Sequence, residues 1–150
     1  HHVLARRGIK VFRSNGGRWP YTPATTVEPR AKRAFRLADA YLPLAGPRTF
    51  AFPRADGNGL FDVQASAFLR PYHPALRRLE GLKLSRIAGA MSRAAEVGEI
   101  FHLWWHPHNF GRQQRENLAN LEQALQHFAT LRRRHGMESL SMIEAAGDAA

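Results

Sequence analysis

The feature that most constrains the fold is the repeated exchange of short apolar runs for amphipathic helical segments. The runs Ile9–Phe12, Leu60–Gln64 and Glu99–Trp105 have the length and composition of strands. Between and after them, apolar residues recur at three- and four-residue spacing, which is typical of a helix with one buried face. This order of strand, helix, strand predicts an α/β protein in which outer helices cover parallel strands.

The helical segments carry their own start and stop signals. Proline suits the first position of a helix, and glycine commonly ends one in the left-handed conformation. We expect a short strand near Leu140 and a last helical turn over Ile143–Ala146 to finish the chain. The three main predicted helices are Pro29 to about Leu42, a segment through Leu84–Ala95 that stops at Gly98, and a segment through Leu118–Leu131 that stops at Gly136.

The length of the chain limits how much of an α/β barrel it can form. Its 150 residues are the size of one domain, and we treat 1–150 as a single domain. A complete eight-unit barrel takes roughly 200 residues or more, so three or four units predict a partial (β/α) barrel. Such a half-barrel has two unpaired strand edges and an exposed apolar inner face. We therefore expect self-association through those edges.

The charge of the chain favours anionic partners without identifying one. Lysine and arginine number 22 against 12 acidic residues, for a formal net charge of +10. The arginines are spread along the chain, and aromatic residues are not interleaved among them as a platform for single strands requires. We expect no specific nucleic acid as partner, and a basic nucleic-acid-binding module remains an alternative reading.

Two absences in the sequence bear on compartment. There is no cysteine, which removes disulfides and thiolate ligands. No apolar run approaches the roughly 18 residues that a membrane span requires, so we expect no membrane span. The first residues lack the apolar region of a signal peptide, and a cytoplasmic location is the expectation. The chain does not begin with Met, so we expect a fragment, a processed chain or an expression product.

The segment from Phe101 to Phe110 contains the best candidates for chemistry. If Phe101–Trp105 is a strand, alternation places His102, Trp104 and His106 on one face. His106 then lies at the carboxyl end, where parallel α/β folds gather reacting residues. His102 and His106 are roughly 13 Å apart along a strand. Zinc ligands each lie about 2 Å from the ion, so these two histidines are not expected to share a metal.

The run Phe101–Gly111, FHLWWHPHNFG, resembles the last motif of polysaccharide deacetylases, a group of carbohydrate esterases, in particular a bacterial branch of them. The resemblance extends over nearly the whole chain and implies the C-terminal half of a deacetylase-type barrel. Its other segments are Gly8–Asn15 with Trp19–Tyr21, Leu37–Leu44, Leu60–Tyr72 and Leu125–Ile143.

The resemblance implies a hydrolase that removes N-acetyl groups from a polysaccharide. Enzymes of this kind use a divalent metal, zinc in our expectation, held by one Asp and two His on motifs that precede the region represented here. No Asp-Asp-Gly segment or His-x-x-x-His loop occurs before Ile9, so these ligands are absent from this chain. We expect the chain alone to bind zinc weakly and to be inactive.

The resemblance also assigns roles to individual residues. His106 matches the general acid that protonates the departing amine, and Arg13 matches the arginine that steadies the base carboxylate. The substrate-binding candidates are Trp104, His108, Asn109, Trp19 and Tyr21. The residues alone leave alternatives open: a strand-end histidine bonded to backbone, or a carbohydrate-binding domain without chemistry.

Overall fold

The computed structural model describes residues 1–16, 21, 29–42 and 44–147. Two 3₁₀ helices, Pro74–Leu79 and Pro107–Gly111, precede the two longest α-helices. The strands are β1 Val11–Phe12, β2 Phe61–Asp62, β3 Ala67–Phe68 and β4 Leu103–Trp104. The helices are α1 His2–Arg6, α2 Arg30–Tyr41, α3 Glu80–Val97, α4 Gln114–His135 and α5 Met142–Ala145.

The strands pair in parallel, β1 with β2 and β3 with β4. Residues 60–69 form the middle of this arrangement. Their first half bonds to the β1 side, where Val63 N–H donates to the Phe12 carbonyl at 2.9 Å. Their second half bonds to the β4 side, where Leu69 N–H donates to the Trp104 carbonyl at 2.9 Å. Helices α2 and α3 provide the crossovers. The structure thus combines helices with short parallel strands, which is compatible with the predicted α/β class.

The main core lies between α3, α4 and the strands β3 and β4. Burying a large aliphatic side chain stabilises the fold by roughly 1.5–3 kcal/mol, so this layer holds much of the stability. Partly buried Phe101, Leu103 and Phe128 pack against it. The fully buried members are Ala67, Leu69, Ile87, Met91, Ala124 and Leu131.

The helix stops follow the prediction. Gly98 and Gly136 end α3 and α4 with φ of 68° and 67°, a conformation in which glycine is favoured because it has no Cβ. Helix α2 begins directly after Pro29, as expected. The last turn is also present as α5, which starts with a capping box between Ser141 and Glu144.

The strand predicted near Leu140 is wrong. Residues 137–140 have no regular secondary structure, and they lead directly into Ser141, the N-cap residue of α5. A strand is stable only with a hydrogen-bonded neighbour, and no described segment pairs with these residues.

Among the described residues, no helix has the length and apolarity needed to cross a bilayer.

Candidate functional site

Five side chains meet beyond the carboxyl ends of three neighbouring strands. Arg13 directly follows β1, Phe68 ends β3, and Trp104 ends β4. His106 and His108 come from the turn that follows β4. Parallel strands present their carboxyl ends at one edge, so residues far apart in sequence converge there. We call Arg13, Phe68, Trp104, His106 and His108 the strand-end cluster.

Trp104 is the centre of the strand-end cluster. Its ring centroid is 4.4 Å from that of Phe68 and 5.2 Å from that of His106, the latter edge-on at 89°. The Arg13 guanidinium carbon lies 4.2 Å from the Trp104 ring centroid, a cation–π contact. Because Arg13 and Phe68 both contact this ring, Trp104 forms a wall of the site and is not an open stacking surface.

His106 is exposed and held by rings. Its ring stacks on His108 at 5.1 Å with an angle of 17° between planes, and it contacts Phe68 edge-on at 5.8 Å. Among the described residues, none forms a hydrogen bond with either ring nitrogen. Both nitrogens are therefore available to a substrate. The alternative of a histidine tied to backbone describes His102 instead.

His102 lies further down the same strand and serves the sheet. Its Nδ1 is 3.3 Å from the Val63 carbonyl oxygen, and its backbone N–H donates to Ser66 Oγ at 3.0 Å. Burial lowers the pKa of His102, the bond to the Val63 carbonyl partly opposes this, and the charge of Arg13 lowers it further. The neutral form of His102 is therefore favoured. Its two hydrogen bonds connect the β1–β2 pair with the β3–β4 pair.

Arg13 does not have the expected carboxylate partner among the described residues; its guanidinium contacts Trp104. The carboxylate at the end of the adjacent strand is Asp62, which accepts hydrogen bonds from the backbone N–H and the hydroxyl of Ser14 at 2.9 and 2.6 Å. The role of Arg13 beside a base carboxylate stays a prediction.

The turn that carries His106 and His108 is anchored to α4 by Asn117. The Asn117 side-chain amide donates to the carbonyls of Arg112 at 2.8 Å and Asn109 at 3.3 Å. Its oxygen accepts the Tyr72 N–H at 2.6 Å. Asn109 also donates its backbone N–H to the His106 carbonyl at 3.0 Å. Asn109 thus shapes the turn through its backbone.

The loop aromatics were predicted to bind substrate. Trp19 lies outside the described residues. Tyr21 donates its hydroxyl to the buried Asp39 carboxylate, and the Arg48 guanidinium lies 4.0 Å from its ring centroid. Burial and the hydrogen bond to Asp39 raise the pKa of Tyr21. The ring contacts of the strand-end cluster do not include Tyr21.

The described residues do not provide a set of side-chain ligands for a metal ion. The described residues contain no group of three or more His, Asp or Glu side chains placed to hold a metal ion. His106 and His108 are adjacent as stacked rings, and no described carboxylate completes a set with them. The ligands implied by the resemblance are not found in this part of the chain.

Phe68 and Asn117 were not predicted as site residues. Phe68 ends an apolar run and could have been singled out by its position at the carboxyl end of a strand. Asn117 gives no comparable signal, because its partners lie in two distant turns.

The chain matches no protein-family model, no curated protein and no solved structure at a significant level.

Proposed function

We propose that this chain is the C-terminal part of a (β/α) barrel of the polysaccharide-deacetylase type. Its substrate is an N-acetylated polysaccharide, and His106 is its general acid. The observation that supports the proposal best is the convergence of Arg13, Trp104 and His106 at the carboxyl ends of β1 and β4, the two strands that flank residues 60–69. The sequence motif predicts these three residues, and an active site is expected at that edge of such a fold.

The reaction is hydrolysis of an acetamide. Water adds to the acetyl carbon and gives up a proton to the base carboxylate, which the resemblance places on the motifs that precede this segment. The C–N bond then breaks, and its electron pair stays on nitrogen. His106 delivers the proton that turns this nitrogen into a neutral amine, because an unprotonated amide nitrogen is a very poor leaving group. The exposed ring of His106, with no protein hydrogen bond on its nitrogens, suits this role. The exposed ring then takes a proton back from solvent, which regenerates the acid.

The remaining residues of the cluster shape and charge the site. Trp104 and Phe68 form an apolar wall against which the acetyl methyl group packs. Arg13, stacked on Trp104, presents a fixed positive charge to the reacting carbonyl or to a carboxylate beside it. His108 supports the His106 ring and reaches toward sugar hydroxyl groups. Asn109 holds the turn that sets both histidines.

The resemblance places the metal ligands on motifs that precede this segment. A bound divalent metal supplies activated water and a polarised carbonyl in such enzymes. Since the described residues offer no donor set, the contribution of this chain is acid catalysis and substrate contact. The chain by itself is expected to release no acetate and to bind zinc only weakly in calorimetry.

A binding experiment on the chain tests the site and the substrate class together. We expect N-acetylglucosamine oligomers to shift the NMR signals of the His106 and His108 rings, and glucose oligomers of equal length to leave them unchanged. Trp104→Ala should weaken binding by about tenfold, because an aromatic contact contributes on the order of 1 kcal/mol beyond its buried area. Trp105→Ala is the matched control, since Trp105 contacts Phe110 instead.

Two results would count against the proposal. Equal binding of glucose oligomers would show that the acetamido group is not recognised. Ligand-induced shifts confined to residues outside the strand-end cluster would show that the sugar binds elsewhere.

A further inference from the structure

An apolar groove of about 320 Å³ lies between α2 and residues 76–82, the end of the first 3₁₀ helix and the start of α3. None of the strand-end cluster lines it, so it is a separate surface. Its lining is leucine, alanine and one tyrosine: Ala34, Leu37, Ala38, Tyr41, Leu42, Leu76, Leu79 and Leu82.

The groove leaves an unusual amount of leucine in contact with water. Leu37, Leu42, Leu79 and Leu82 are each between 36% and 48% exposed. They come from both walls of the groove, so a single occupant would cover them together. Covering apolar surface is favourable by roughly 25 cal/mol per Å², and contiguous apolar patches of this kind mark interaction sites.

Positive charge borders the groove on both sides. Arg30 and Arg33 precede Ala34 and Leu37 by four residues on α2, and they therefore lie on the same helix face as those lining residues. Arg77 and Arg78 are exposed in the opposite wall, between Leu76 and Leu79. None of these four arginines forms an ion pair with a described carboxylate.

Within residues 29–42 and 73–82, no acidic side chain is exposed. The acidic residues of the two walls are Asp39 and Glu80. Asp39 is 0% exposed and bonded to Arg86 at 2.5 Å, while Glu80 is 8% exposed and bonded to Lys83 at 2.7 Å. The exposed charges of residues 29–42 and 73–82 are therefore all positive. An occupant that complements this surface must be apolar at its centre and acidic at its borders.

We propose that the groove binds an amphipathic helix of a protein partner, with leucine-like side chains on one face and acidic residues beside them. A concave site between two helical walls fits a helix laid along it, in the manner of helix-in-groove recognition. An anionic membrane is the less suitable occupant, because insertion requires apolar side chains that project beyond the charged ones. Here the leucines line a groove, and the arginines on both of its walls are themselves exposed.

The test uses the full chain and a synthetic 16-residue helical peptide, about 24 Å long, with Leu at three- and four-residue spacing and Glu elsewhere. We expect binding by fluorescence anisotropy that weakens as salt rises, since the arginines are exposed and screened. A peptide with Lys in place of Glu should bind at least about tenfold more weakly. Leu79→Asp should weaken binding of the acidic peptide by a similar factor, and Arg77→Glu by about threefold or more.

Leu118→Asp is the matched control, because Leu118 is 49% exposed on α4 and does not line the groove. It should leave affinity unchanged. Circular dichroism checks that every variant is folded. If Leu79→Asp does not fold, Arg77→Glu still decides the test. The proposal is overturned if neither peptide binds, if both bind alike, or if Leu118→Asp weakens binding as much as Leu79→Asp. Leu79-dependent binding to phosphatidylserine vesicles without peptide binding would overturn it too.

Discussion

The layer formed by α3 and α4 and the edge that carries the strand-end cluster are built in opposite ways. The layer has helices of 18 and 22 residues, an apolar cluster and buried polar bonds. The edge rests on two-residue ladders, and its histidines are exposed. Stability is concentrated in the first region and reactive groups in the second. Substitutions in the two regions should therefore affect different measurements.

The helical layer contains a network of buried charged and polar side chains, whereas the histidines of the strand-end cluster are exposed. Lys83 is 1% exposed, and its Nζ donates to Glu80 at 2.7 Å and to the Arg70 carbonyl at 2.9 Å. Asn120 donates to the same Glu80 oxygen at 2.7 Å. Burial lowers the pKa of Lys83, while the bond to Glu80 opposes that shift. A pair of this kind is costly to break from one side only.

The largest effect on stability is expected for Lys83→Ala. It leaves Glu80 buried without its cation, and breaking one side of a buried pair costs roughly 3–5 kcal/mol. Urea unfolding followed by circular dichroism measures the free energy of unfolding. The double variant Lys83→Met with Glu80→Gln is the control and should recover much of the loss. A loss under about 1 kcal/mol for Lys83→Ala would contradict this view of the network.

The second-largest effect on stability is expected for Asn117→Ala, because Asn117 connects the helical layer to the edge that carries the strand-end cluster. Asn117→Ala removes bonds to Tyr72, Asn109 and Arg112, and an unsatisfied buried group costs about 1–3 kcal/mol. We expect the Tyr72 amide to exchange with solvent faster than the amides of α3. Asn120→Ala is the matched control, buried on the same helix but bonded to Glu80. Equal exchange at Tyr72 in both variants would show that Asn117 does not anchor the turns.

The smallest effect concerns the pH dependence of stability through His102. Its pKa is lowered in the folded state, so the unfolded chain binds more protons below the ordinary pKa of about 6.5. Stability from this residue is thus complete above that pH and is lost as pH falls below it. We expect His102→Gln to lose less stability than the parent between pH 7.5 and 5.5. An identical loss in both proteins would remove His102 from the pH response.

The helices were predictable because their signals are local. Ile87 and Met91 are buried on α3 as the spacing predicted, and Gly98 and Gly136 marked the ends. The predicted apolar face of α4 is only partly buried, since Leu118 and Leu125 are 49% and 55% exposed. The strands were less predictable: the run Leu60–Gln64 predicted one strand, and the structure has a second one at Ala67–Phe68 that pairs with a different neighbour. The strand expected near Leu140 depended on a partner that the sequence cannot supply.

The candidate site divides in the same way. Alternation along one strand predicted that Trp104 and His106 share a face, and their rings are in contact. The contact of Arg13 with Trp104 depends on which strands are neighbours and on their register, and neither is written in a local pattern. The bond between Tyr21 and Asp39 likewise joins residues 18 apart in the sequence, and no local pattern specifies it.

The most direct test of the proposed function is the activity of His106→Ala in a protein that carries this segment together with the metal-binding motifs, measured as acetate release with metal content determined in parallel. We predict that kcat falls by roughly 10²–10⁴ and that KM changes little, because proton transfer develops only in the transition state. Metal content and unfolding free energy should be unchanged, since the His106 ring is exposed and forms no hydrogen bond with a described residue. His102→Ala should reduce kcat less. Near-normal kcat, or loss of the metal, would contradict the role assigned to His106.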